Sequence, residues 1–75
     1  MAKKPRKLSI VSFEPWYAKK HPEAYDKSPI KLNEQVIYLG EIPNCLSHCV
    51  VVKHSGEVVW MVHTNDFREL TEDEL

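Results

Sequence analysis

Two apolar runs set the pattern of the C-terminal half. Val50-Val51-Val52 and Val58-Val59-Trp60-Met61-Val62 lie on either side of the polar tetrapeptide His54-Ser55-Gly56-Glu57. Short runs rich in β-branched residues predict strands, here over 48–53 and 58–63. The tetrapeptide predicts a hairpin connection, with Gly56 free to take the positive φ of a bulge-type turn. Neither arm alternates apolar with polar, which predicts strands covered on both faces. In a chain this short, the sheet must then curl on itself or be covered by the N-terminal segment.

The other elements follow from breakers and propensity. Residues 35–39 predict a strand ended by Gly40, and 41–47 a loop holding Pro43 and Asn44. Residues 8–13, Leu-Ser-Ile-Val-Ser-Phe, predict an edge strand or an extended segment lying on the body. Over 15–26, Pro15 suits the first position of a helix, and Pro22 prevents a single helix from continuing. Two short helical turns are therefore expected there, followed by a linker over 27–29. Thr64-Asn65-Asp66 predicts an Asx-type turn, 67–70 a short strand or turn, and 71–75 an acidic, frayed tail. The expected fold is mainly β: a compact, strongly bent antiparallel sheet of SH3-like type, with Gly40 and Gly56 at its sharp bends.

Length and charge narrow the function class. Seventy-five residues make one small domain, with little volume for a pocket of the usual ~300–1,000 Å3. Function at the surface, by binding rather than catalysis, is the expectation. Residues 1–31 carry eight Lys and Arg against three acids, and residues 32–75 carry two against eight. A basic arm over 1–7, disordered and preceding a domain over 8–70, thus accompanies an acidic body. That asymmetry suggests a partner with a negative surface. Cys45 and Cys49 are too few for a disulfide scaffold, and no apolar run reaches the length of a membrane span or a signal-peptide core. A cytoplasmic monomer with reduced thiols and no membrane contact is expected.

Three constellations carry possible chemistry. Cys45, His48, Cys49, His54 and His63 are zinc-ligand types, but the spacing lacks a second Cys or His pair, and strand alternation turns Cys49 away from His48. The plain reading is two buried thiols and surface imidazoles with no metal. Cys49 and His63, on paired strands, are a candidate nucleophile and base without an orienting third group. Lys3, Lys4, Arg6, Lys7, Phe13, Trp16, Tyr17, Lys19 and Lys20 interleave charge with aromatic rings, a mix that holds acidic surface or nucleic acid. Against that reading, Phe13, Trp16 and Tyr17 are expected to cap the open sheet as core. The partner-binding candidates are Lys3, Lys4, Arg6, Lys7, Trp16, Tyr17, Lys19 and Lys20. The acids Glu69, Glu72, Asp73 and Glu74 read as a solvating end.

A resemblance sharpens the choice of partner. Val36-Ile37-Tyr38-Leu39-Gly40-Glu41-Ile42-Pro43-Asn44, Ser47-His48-Cys49-Val50-Val51, Gly56 and His63-Thr64-Asn65-Asp66-Phe67-Arg68-Glu69-Leu70 together resemble small phage-encoded proteins with an SH3-like body. With the basic lead Lys3-Lys4-Pro5-Arg6-Lys7, the chain is similar to phage transcription regulators of this kind. The resemblance implies a non-catalytic regulator, without cofactor, acting in the cytoplasm of the bacterial host. It implies binding to host RNA polymerase, inhibition of initiation, and suppression of termination alongside the elongation factor NusA. The other reading is a direct RNA- or DNA-binding module that uses the basic-aromatic segment.

Overall fold

The computed structural model describes residues 5–75, except for the Met61 side chain. Five strands form one antiparallel sheet: β1 (Ile10–Phe13), β2 (Gln35–Ile42), β3 (Cys45–Val52), β4 (Val58–His63) and β5 (Phe67–Glu69). Their order across the sheet is β4-β3-β2-β1-β5. Single 3-10 turns occupy Trp16–Lys19, Pro22–Tyr25, Thr64–Asp66 and Glu72–Glu74.

Turn chemistry builds the β2-β3-β4 meander. At the β3–β4 turn Gly56 takes φ 95°. There the Lys53 N–H donates to Glu57 O, and the Gly56 N–H to Lys53 O. At the β2–β3 turn, Pro43 is followed by Asn44 at φ 67°. Proline first and a positive-φ residue second is the type II combination. Residues 41–47, expected as a loop, are therefore the ends of two strands joined by a tight turn. Gly40 does not end its strand either. It sits within β2 at φ 126°, where the pairing with β3 shifts register. A β-bulge of this kind bends the strand and tightens its twist.

β1 is not at an edge. It pairs Val11 with Val36 on one side and Phe13 with Phe67 on the other, linking β2 to β5. The expected two helical turns split before Pro22 are present as 3-10 turns.

The two faces of the sheet differ. Val11, Phe13, Val36, Tyr38, Cys49, Val51, Val59 and Phe67 line the inner face with Ile30, and all are buried. Tyr25 and Leu32 from the β1–β2 connection pack against them. The outer face holds a cross-strand row, Ile10, Ile37, Val52 and Val58, matched residue to residue over four strands. Ile37 there is 40% exposed and Val58 43%. The meander is thus covered on one face only, which corrects the expectation of two-sided burial. Its unbroken valine runs arise because both faces are apolar while only one is sealed.

The termini are tied to the body. In the arm, Pro5 is buried, and Arg6 binds Glu69 through its backbone N–H (2.9 Å) and its guanidinium (2.9 and 3.1 Å). The Lys7 stem crosses Gly40, so a Cβ there would lie 3.1 Å from Lys7 Cε. Lys3 and Lys4 lie outside the described residues. The expected frayed tail is instead a 3-10 turn closed by Glu74, which accepts from the Thr71 N–H at 2.9 Å.

Ile30 is fully buried against both sheet and connection, whereas Ile37 faces outward. Ile30→Ala is expected to cost about 3 kcal/mol, most of what a core this small supplies. Ile37→Ala should cost under about 1 kcal/mol. Urea unfolding of both variants followed by circular dichroism checks the contrast.

Candidate functional site

Glu14 and Pro15 follow β1, and the buried Pro15 lies where the chain leaves the sheet. The Ala18 N–H donates to Pro15 O at 3.1 Å. The Lys20 and His21 N–H groups donate to Tyr17 O at 3.2 and 3.0 Å. One tight turn therefore carries Trp16, Tyr17, Lys19 and Lys20 outward together. Trp16 is 69% exposed and Tyr17 44%. Their rings meet edge to face at 5.8 Å, and Tyr17 lies 4.9 Å from the His21 ring. Such pairing holds large rings in place without burying them.

This corrects the expectation that Phe13, Trp16 and Tyr17 cap the sheet. Only Phe13 does so, 5.3 Å from Phe67 and 5.7 Å from Tyr25 between ring centres. Ile30 is buried in the core beside it, with Tyr25 packed against the cluster. Beneath the ledge lies a cleft of about 230 Å3, lined by Phe13, Pro15, Ala18 and Leu32 with Glu14 and Lys19 at its rim. It is smaller than the usual small-molecule pocket of ~300–1,000 Å3.

The basic candidates separate into two groups. Arg6 and Lys7 are committed to Glu69 and to the surface over Gly40. Lys19 and Lys20 carry no ion pair among the described residues and stand beside the exposed rings. The structure thus brings Trp16, Tyr17, Lys19 and Lys20 together and leaves Arg6 and Lys7 on the opposite flank of β1, toward the far end of β2.

Behind the ledge, Arg68 of β5 grips two carboxylates. Its Nε and Nη2 donate to Glu14 at 3.0 Å each, and its Nη1 and Nη2 donate to Glu74 at 2.8 and 2.7 Å. The Arg68 bonds hold the Glu74 carboxyl down at about 2 and also lower that of Glu14. Sequence reading missed this clasp, although Thr71-x-x-Glu74 is a capping-box spacing.

The cysteines and histidines divide between the faces. Cys49 is fully buried in the inner core, and burial pushes its thiol up to about 11. His48 and His63 are cross-strand partners with ring centres 4.4 Å apart. Cys45 Sγ lies 3.1 Å from His48 Nδ1. The thiol beside an imidazole is therefore Cys45 with His48, not Cys49 with His63. Among the described residues, no group of three or more His, Cys, Asp and Glu is arranged to hold a metal ion. No helix of the described residues is long and apolar enough to cross a membrane.

No family model matches the chain, and neither a curated protein nor a solved structure shows significant similarity to it.

The Arg68 clasp has a pH consequence. Carboxylates depressed in the folded state contribute stability above their unfolded value, near 4.5, and lose it as pH falls toward about 2. The urea midpoint is expected to fall over that window. Arg68→Gln should flatten much of the fall, because the largest cause that lowers both carboxylates is then removed, leaving the smaller Thr71 and Ser12 bonds. Denaturation series at pH 5, 4, 3 and ~2.5 measure it.

Proposed function

We propose that this protein is a non-catalytic, phage-type regulator with a small SH3-like body that binds bacterial RNA polymerase through the Trp16 ledge. In the same reading it acts in the cytoplasm of the host, inhibiting initiation and suppressing termination with NusA. One observation carries the binding surface: two large rings are exposed on a hydrogen-bonded turn beside two lysines that carry no ion pair among the described residues. Exposed Trp and Tyr are the residue types that anchor protein interfaces, seating in a pocket of the partner while basic neighbours meet its acids. Ordering costs little, since the ledge backbone is already hydrogen-bonded and its rings are already packed together.

What supports an SH3-like body is the strand order. β1 is paired on both sides, by β2 and by the short last strand, while β2, β3 and β4 run as a meander. The bend at Gly40 and the near-equal extents of 33 × 30 × 29 Å fit a rolled sheet rather than a flat one. What supports a polymerase partner is the resemblance of the basic lead Lys3-Lys4-Pro5-Arg6-Lys7 on a small β body to phage transcription regulators, and the concentration of positive charge in residues 1–31. Lys3 and Lys4 are part of that charge.

Direct nucleic-acid binding is a second reading. The same rings and lysines suit stacking against bases and contact with phosphates. Salt separates the two, since phosphate contacts weaken steeply as ions are added.

The test uses purified bacterial RNA polymerase and the full chain in biolayer interferometry, with single-stranded RNA in a parallel channel. Binding to polymerase is expected, weakened by about thirtyfold or more in Trp16→Ala, a hot-spot loss of ~2 kcal/mol. Lys19→Glu with Lys20→Glu should slow association most at low salt. Unfolding midpoints of these variants should match the parent, because none of the three side chains is buried. RNA binding without polymerase binding would support the second reading instead.

A further inference from the structure

At the opposite end of β2 from the ledge, the Pro43-Asn44 turn delivers Cys45 to the start of β3. Its side chain is part-buried, not sealed. Three residues on, His48 turns its Nδ1 back to the sulfur at 3.1 Å, and the Ser47 hydroxyl reaches the same nitrogen at 3.0 Å. His63, across the ladder, lies against the other side of the His48 ring at 4.4 Å between centres. The imidazole therefore has contacts to Ser47 and to His63, with one nitrogen at hydrogen-bond distance from the thiol of a part-buried cysteine.

We propose that Cys45 is a modification site, a thiol that undergoes exchange with small disulfides such as oxidised glutathione, with His48 as the group that takes its proton. In the step, the Cys45 S–H proton passes to His48 Nδ1, and the thiolate attacks one sulfur of the disulfide. A new S–S bond joins Cys45 to one glutathione. The old S–S bond breaks, and the second glutathione leaves as a thiolate that takes up a proton from His48 or solvent. Cys45 is oxidised, the departing sulfur is reduced, and no other oxidant enters. The imidazole contributes because the thiolate, not the thiol, is the nucleophile, and a proton acceptor stands at hydrogen-bond distance from the sulfur.

The second cysteine provides an internal contrast. Cys49 is walled in by Tyr38 and Val51 on the inner face, with no exposure. An attacking disulfide cannot reach it without unfolding, and its raised thiol value leaves it protonated at neutral pH. The proposal concerns one thiol of two and does not depend on the ledge or on any partner.

The experiment treats the native full chain with oxidised glutathione at neutral pH and follows intact mass and peptide maps over time. One glutathione per chain, on Cys45, is expected. Its rate should exceed that of the same cysteine in urea-unfolded chain. His48→Asn should slow it on the order of tenfold, with circular dichroism unchanged. Equal modification of Cys49, a native Cys45 rate no faster than the unfolded one, or a His48→Asn rate equal to the parent would each overturn the proposal. Should His48→Asn not fold, the native-against-unfolded comparison decides it alone.

Discussion

Phe13 holds the fold together where the sheet would otherwise gape. It is the last residue of β1, and its ring lies between Phe67 of β5 and Tyr25 of the long connection. That junction joins an edge strand of only three residues to the layer that covers the inner face. Aromatic pairs of this geometry contribute about 0.5–1.5 kcal/mol beyond their burial, a large share in a chain whose core supplies only ~3–5 kcal/mol. Because Phe13 takes the central place, and Ile30 and Leu32 complete the seal, no space remains inside for Trp16 and Tyr17. Their exposure is a consequence of core packing, not an accident of the surface.

Charge is distributed by the same logic. Two of the four C-terminal acids are engaged rather than solvating: Glu69 holds Arg6, and Glu74, together with Glu14 from the end of β1, holds Arg68. Individually, exposed pairs of this kind are worth little. Arg68, however, meets two carboxylates bidentately from elements far apart in sequence, so it fixes the base of the ledge against β5. Consuming the acids this way leaves Lys19 and Lys20 as cations without internal partners among the described residues. Positive charge therefore stands beside the exposed rings on a body that is acidic as a whole.

What was legible in the chain was local. Gly56 between valine runs specified its turn, and Pro22 specified the break between two helical turns, since each acts through backbone geometry over a few residues. Pro43-Asn44 carried a turn signal of the same kind. Residues 41–47 were read as loop around these two breakers, and Cys45-Leu46-Ser47 has no β-branched residue to mark the strand that begins there. Gly40 was read as a strand end, although a bulge lets glycine stay inside the ladder. Which apolar residues would be buried was not legible. Val50 to Val52 and Val58 to Val62 look alike on both faces, and the choice of face depends on Ile30, a residue remote in sequence. That Phe13 and not Trp16 enters the core was not legible either, since the Phe13 ring packs against Tyr25 and Phe67, non-local partners that a periodicity argument does not weigh.

The thiols show how one strand assigns opposite chemistry to the same residue type. Cys45 and Cys49 are both on β3 and four residues apart, so simple alternation would place them on one face. The register irregularity between Glu41 and Ile42 intervenes, and Cys45 ends up beside the turn while Cys49 enters the core. A single disturbance in the ladder thus separates a reachable sulfur next to an imidazole from a sealed one among valines. Eight-residue β2 spans the distance between that turn and the aromatic ledge, with the inner-face core lying along it. Change at Cys45 therefore has no path to Trp16 except through packed strands, and the two ends of the sheet are free to carry separate tasks.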